Sequence, residues 1–231
     1  MAALLDQRPA VAEPATRGEP AAYLDGRPHL RIRDVTASWT GARTDLPATT
    51  LDLPPGRRVA IIGANGSGKS TLLAVLARHL DATSGNYTLD GVDVRDLPVE
   101  AVRRLIAVVD DEPHVFASTL RANLLVASPD ATDSDVTRAL RGAGLSGWLT
   151  ALPDGLDTVL GTGGRGISGG ERARLGLARA LVSGRPIILL DEPVAHLDHA
   201  TAEAILADLT GATHDRTVVM VSHRDDGFSG F

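Results

Sequence analysis

Gly63-Ala64-Asn65-Gly66-Ser67-Gly68-Lys69-Ser70 is the stretch whose reading decides the fold. It fits the pattern G-x-x-x-x-G-K-[ST] of a phosphate-binding loop. Of the 23 Lys and Arg residues in the chain, Lys69 is the one lysine. A composition that favours arginine everywhere else keeps a lysine here, where a compact ammonium fits better than a planar guanidinium. Glycines at Gly63, Gly66 and Gly68 let backbone N–H groups turn inward on an anion.

The flanks supply the context the loop needs. Arg58–Ile62 is a short apolar run that stops at Gly63, as a strand feeding the loop should. Leu72, Leu73, Leu76 and Leu80 have helical spacing after it. Strand, glycine loop and helix together predict that amides from Gly66 to Thr71, with Asn65 and Ser67 in the same turn, meet phosphate at a helix N-terminus. Lys69 is expected on the β- and γ-phosphates and the Ser70 hydroxyl on Mg²⁺.

The 231 residues can form one large domain or two small lobes. A net charge of −6 gives no general affinity for nucleic acid. The absence of Cys removes disulfides and thiolate metal sites. No apolar run approaches the roughly 20 residues that span a bilayer, and residues 1–28 lack the apolar segment of a signal peptide. The expectation is a soluble chain whose membrane role, if it has one, comes through a partner or a missing segment.

Residues 1–28, rich in Ala, Pro, Glu and Arg, read as a flexible leader. Order is expected from His29, with Leu30, Ile32 and Val35 as a strand. Asp90-Gly91 between Tyr87–Leu89 and Val92–Val94 signals a hairpin. Pro98–Leu105 reads as a helix and Ile106–Val109 as a strand. Residues 113–182 look mainly helical, broken at Pro129, Pro153 and Gly161–Gly166. Ile187–Leu190 reads as a central parallel strand, 200–209 as a helix, and Thr217–Val221 as a further strand. The alternation predicts an α/β fold with an inserted helical lobe.

Two more segments carry chemistry. Ile187-Ile-Leu-Leu-Asp-Glu-Pro193 delivers two carboxylates at the C-terminal end of an apolar strand, where open α/β sheets bind ligands. Asp191 suits the metal shell, through water, and Glu192 can polarise an attacking water; the bland alternative is a solvated turn. Ile167-Ser-Gly-Gly-Glu171 contains the S-x-x-E capping box of Ser168 and Glu171. A capped helix start with Gly169 and Gly170 is also an exposed anion site. One chain cannot easily use two phosphate sites on one nucleotide, whereas two chains head to tail can each cap the other's ATP.

Ile167-Ser-Gly-Gly-Glu171 resembles the signature of ATP-binding-cassette (ABC) ATPases, usually Leu-Ser-Gly-Gly-Gln, and the other motifs follow in that family's order. The resemblance spans roughly residues 29–225. It implies a RecA-like P-loop NTPase core with a mixed sheet (29–109 and 183–231) and an α-helical subdomain (110–182). It implies ATP and Mg²⁺ as ligands, ATP hydrolysis coupled to transport, and a homologous second cassette, in a heterodimer, as partner. By the same resemblance Trp39 stacks on adenine, the alternative being a core or surface Trp. Asp198, in Ala195-His-Leu-Asp198, belongs to the loop that crosses the dimer interface. His223 touches the γ-phosphate.

Finer likenesses point to an exporter branch. Gly161-Thr-Gly-Gly-Arg-Gly166 looks like the exporter segment that touches coupling helices. Glu192-Pro-Val-Ala-His-Leu-Asp198, Asp111-Glu-Pro-His-Val-Phe116 and Thr119-Leu-Arg-Ala-Asn-Leu124 are similar to the CydC and CydD half-transporters. Those are associated with thiol (cysteine and glutathione) export and cytochrome bd assembly. This implies a place on the cytoplasmic face of the plasma membrane, with the membrane-spanning half absent from this chain and more strands expected past His223 than the chain contains. Asp111 stands where the family has a Mg²⁺-contacting glutamine, which implies altered metal dependence and weaker coupling. The alternatives are a soluble ABC ATPase of repair or translation, and a regulatory module with little turnover. A third alternative is a GTPase, against which stands the lack of an N-K-x-D motif, since that motif needs a second lysine.

Overall fold

The computed structural model describes residues 10–14, 26–161, 166–195 and 197–223. In chain order its strands are β1 (Leu30–Ala37), β2 (Leu46–Leu53), β3 (Arg58–Ile62), β4 (Ser84–Leu89), β5 (Val92–Asp93), β6 (Ile106–Val109), β7 (Ile187–Asp191) and β8 (Thr217–Ser222). The α-helices are α1 (Lys69–Leu76), α2 (Val99–Arg103), α3 (Leu120–Leu125), α4 (Asp133–Gly142), α5 (Ser146–Ala151), α6 (Gly169–Val182) and α7 (His199–Ala212). The chain divides into two compact units, Met1–Pro55 with Ala64–Ile106, and Gly56–Gly63 with Ala107–Phe231. The strands form two four-stranded sheets, one paired antiparallel and one in which β3, β8 and β7 run parallel.

The first unit holds the sheet of order β2-β1-β4-β5. Leu30 and Ile32 are buried, and so are Val35 and Ala37, so the buried face changes phase between residues 32 and 35. The switch is a bulge. Both ladders of β1 shift register there, and Asp34 has a φ of 48°. Gly85 makes the bulge possible, because a Cβ on it would stand 2.4 Å from the Asp34 carbonyl oxygen. The Asp90-Gly91 hairpin forms as expected, with φ values of 50° and 83° that define a type I′ turn.

The first described residues of the expected leader are docked on this unit. The Asp81 amide donates to the Ala10 carbonyl at 2.8 Å, and the Ala12 amide donates to the Asp81 carboxylate at 2.8 Å. Helix α1 ends earlier than its leucine spacing predicted, at Leu76 rather than near Leu80. The Arg78 amide bonds back to Val75 and the His79 amide to Ala74, which closes a Schellman turn. Arg78 takes its left-handed position at φ 55°, where glycine is usual. Its guanidinium is buried and compensates by donating to the Val94 carbonyl and, at 3.2 Å, to that of Ala12.

The second unit is built on the sheet of order β3-β8-β7-β6, with β3, β8 and β7 parallel. Ile187–Leu190 and Val218–Val221 are buried to within 1% exposure, and Ile188, Leu190, Val218 and Met220 share one core with residues of α3, α4, α6 and α7. Truncating an Ile, Leu or Met among these to Ala would cost about 2–5 kcal/mol. Helix α6 packs on α3, α4 and α7. It is capped at Ser183, with Gly184 left-handed at φ 70°. Among the described residues no helix is long and apolar enough to cross a membrane.

Candidate functional site

Each unit carries part of the expected constellation. In the first unit, Gly66 and Gly68 have φ values of 78° and 95°, so both turns of the loop need glycine. Gly68 is needed twice over, since a Cβ there would meet the Asp45 carbonyl oxygen at 2.8 Å. Lys69 opens α1 and is only 8% exposed. Its Nζ donates to the Ala64 carbonyl at 3.0 Å, which keeps the ammonium folded against its own loop. Burying an ammonium demands such compensation. Asn65, Gly66, Ser67 and Ser70 are exposed around it.

Trp39 lies in the turn between β1 and β2 and is 53% exposed, so it is not a core residue. Its indole Nε1 donates to Thr71 Oγ1 at 3.3 Å, in the first turn of α1. Its backbone N–H donates to Asp45 Oδ2 at 2.8 Å, and Arg43 Nε donates to Asp45 Oδ1 at 2.8 Å. The Trp39 amide first, and Arg43 second, hold the Asp45 carboxyl below the usual carboxylate range.

In the second unit, Asp191 ends β7, and Gly63 follows β3 with its amide on the Ser222 carbonyl at 3.2 Å. Glu192 leaves the strand with a φ of 45°, a left-handed conformation for a long side chain. Strain of this kind costs roughly 1–3 kcal/mol and survives only where the surroundings impose it. Here they do: the Glu192 amide bonds to the Val221 carbonyl of the neighbouring strand at 3.1 Å, and its own carbonyl accepts from Ala195 at 3.1 Å. Its carboxylate is hydrogen-bonded to His223 Nδ1, just past β8.

The start of α6 is capped as expected. The Glu171 amide donates to Ser168 Oγ at 3.2 Å, and Glu171 Oε2 accepts from the Ser168 amide at 2.7 Å. Ser168 and Gly169 are exposed, so the cap is reachable. Beneath it lies the start of α7. A Cβ on Gly170 would stand 3.1 Å from Thr201 Cγ2, and one on Gly169 3.5 Å from Leu197. Asp198 caps α7, accepting from the Thr201 amide at 3.0 Å and its hydroxyl at 2.7 Å. Those two bonds, amide first, hold the Asp198 carboxyl below its usual range.

Asp110, Asp111 and Glu112 are all exposed, so their charges are solvated rather than packed together. Asp111 Oδ1 accepts from the Glu112 amide at 2.9 Å. Among the described residues no three His, Cys, Asp or Glu side chains gather into a metal cluster. Thr162–Arg165 of the exporter-like segment and His196 lie outside the described residues. Three contributors were given no role by the sequence: Asp45 behind Trp39, Thr201 beneath Gly170, and Asn123. The last is buried, accepting from the Phe116 amide at 2.9 Å and from Arg179 Nη2 at 2.8 Å.

A glycine loop opening a helix, a strand-end carboxylate pair and a capped Ser-Gly-Gly helix start define a P-loop ATPase of the ATP-binding-cassette class. The ABC transporter family model matches residues 46–195, and the chain belongs to that family. It is 43% identical over 197 residues to the mycobactin import ATP-binding/permease protein IrtB of Mycolicibacterium thermoresistibile, covering 85% of this chain and 34% of that protein. It is 40% identical over 229 residues to the glutathione/L-cysteine transport system ATP-binding/permease protein CydC of Escherichia coli, covering 99% of this chain and 39% of that protein. A bacterial Atm1-family ABC exporter solved with ATP bound superposes with a TM-score of 0.84 at 31% identity, over 96% of this chain and 38% of that one. The chain thus spans well under half the length of these relatives. Its α/β fold with helical additions is that of an ABC ATPase domain.

Proposed function

We propose that this chain is the ATP-binding and ATP-hydrolysing cassette of an ABC exporter, working as a head-to-tail pair with a second cassette. The observation that carries the hydrolytic part is Glu192, held left-handed at the end of β7 with its carboxylate on His223. A strained carboxylate with a fixed partner at a strand end is pre-organised for a reacting water.

In this reading the amides of Gly66–Thr71 and the Lys69 ammonium grip the β- and γ-phosphates, and Trp39 stacks on the base. Glu192 orients the water that attacks the γ-phosphorus, while His223 holds the terminal phosphate as the bond to the bridging oxygen breaks. ADP and phosphate are the products. The donors expected on Mg²⁺ are the Ser70 hydroxyl with Asp191 and Asp111, all hard oxygen ligands of the kind Mg²⁺ takes alongside phosphate and water. When bound, the ion neutralises charge on the phosphates. The Ser168-Gly169-Gly170 cap, exposed at Ser168 and Gly169 and fixed by Glu171, is offered to the γ-phosphate of a partner cassette, and Asp198 lies beside the same face. Loss of that phosphate on hydrolysis lets the pair separate.

Glu192→Gln tests this directly. It keeps the shape and removes the base, so turnover should fall by at least about a hundredfold while ATP drives a stable dimer. Unchanged turnover would remove Glu192 from the role.

The cargo reading rests on likeness. Similarity to CydC and the Glu192-Pro-Val-Ala-His-Leu-Asp198 string support thiol export linked to cytochrome bd assembly, in a heterodimer at the cytoplasmic face of the plasma membrane. Joining the chain to each of the CydC and CydD membrane halves and measuring glutathione uptake into inverted vesicles tests it. Asp111, exposed and bonded to the Glu112 amide, favours a second reading as a low-turnover regulatory module. Nucleotide affinity without hydrolysis, restored by Asp111→Gln, would select it.

A further inference from the structure

Resting on the nucleotide reading above, we propose that Asp45 is a positioning residue that sets the Trp39 stacking surface against the phosphate-loop helix. The turn from Ser38 to Asp45 joins β1 to β2, and the Asp45 amide closes it on the Ala37 carbonyl at 2.9 Å. The two carboxylate oxygens of Asp45 then take two diverging donors, the Trp39 amide and Arg43 Nε, each at 2.8 Å. On the opposite side, the Asp45 carbonyl and Leu46 Cα abut Gly68, at 2.8 and 3.3 Å from where a Cβ would stand. One residue therefore fastens the main chain of Trp39 and borders the loop at Gly68.

Trp39 is fastened a second time, at its tip, by Thr71 Oγ1 at 3.3 Å. The indole N–H is its only donor, and it is committed inside the protein. What the side chain offers a ligand is its half-exposed ring surface. Held at the backbone by Asp45 and at the ring by Thr71, the indole keeps a fixed height above the start of α1. Pre-ordering an aromatic face in this way lowers the entropy lost when a base stacks on it.

An ordinary turn residue would affect folding alone, and with the same weight for any ligand. A positioning residue acting through Trp39 affects only ligands that carry a base. Calorimetry on the full chain separates the two, with magnesium and either ATP or inorganic tripolyphosphate as probe. Asp45→Ala should weaken ATP binding about five- to tenfold, the scale of one lost hydrogen bond, and leave tripolyphosphate within about twofold. Asp45→Asn, which keeps an acceptor for the Trp39 amide, should recover most of the loss. Adding Asp45→Ala to Trp39→Ala should cost nothing further, because both act through the same ring.

Equal losses for both probes, additive losses in the double variant, or unchanged ATP affinity in Asp45→Ala would each overturn the proposal while leaving the nucleotide reading intact. If Asp45→Ala does not fold, Asp45→Gly, a turn-compatible residue with no side-chain acceptor, takes its place with the same expected split. A wild-type chain that takes up neither probe would overturn the nucleotide reading, and this inference with it.

Discussion

Glu192 and His223 are hydrogen-bonded to each other across the ends of two adjacent parallel strands, 31 positions apart in the chain. Asp191 pairs in register with Val221, so the residues that follow each strand are delivered side by side. The contact is a consequence of strand order. It places a carboxylate and an imidazole where the sheet opens at its C-terminal edge.

The left-handed Glu192 predicts a trade between stability and turnover. Glu192→Gly relieves a φ of 45° and should unfold at higher denaturant than Glu192→Ala, by about 1 kcal/mol. Both variants should lose ATP turnover. Urea titrations of the pair check this, and a Gly variant no more stable than the Ala variant would show that the conformation carries no strain.

The two loop glycines should differ. Gly66→Ala meets open space and incurs only the left-handed backbone cost, roughly 1–2 kcal/mol. Gly68→Ala adds a collision with the Asp45 backbone and should be destabilised well beyond that. Thermal unfolding of the two proteins decides the order, and equal losses would contradict the crowding at Gly68.

Asp198 gives a pH dependence with a definite sign. Its folded carboxyl titrates below the usual value of about 3.9, because the Thr201 amide and hydroxyl bond to the charged form. Its contribution is therefore complete above that value and is lost as pH falls through the lower, folded one. Asp198→Ala should melt at lower temperature than wild type at pH 7. The gap should close in strongly acidic solution. A gap that stays constant from pH 7 to below pH 3 would mean that the cap does not act through its charge.

Asn123 should behave as a structural hub. Its side chain bonds to Phe116, Thr119 and Arg179 from a fully buried position. Asn123→Ala strands the Phe116 amide and part of the Arg179 guanidinium, at about 1–3 kcal/mol for each. A denaturation midpoint within error of wild type would show that water replaces the side chain freely.

Much was legible in the residues because it is local. The phosphate loop, the hairpin at Asp90-Gly91, the cap at Ser168 and the buried runs of β7 and β8 each follow from spacing within one element. Strand β2 was not legible. Its residues, Leu46-Pro-Ala-Thr-Thr-Leu-Asp-Leu53, do not alternate between apolar and polar and are largely half-buried or exposed, and it lies at a sheet edge, where Pro47 is tolerated. The phase change in β1 was equally hidden, because the bulge at Asp34 needs Gly85 from another strand.

The sequence by itself determined the chemistry on offer: one ammonium among glycines, two carboxylates behind an apolar run, and a serine able to cap a helix. Only the tertiary structure decided which of these side chains are held, and by what. Trp39 became an exposed ring pinned by Asp45 and Thr71, and Glu192 a strained acid paired with His223. Local spacing encodes conformation within an element. Partners drawn from separate elements are set by strand order and close packing, which no window of neighbouring residues contains.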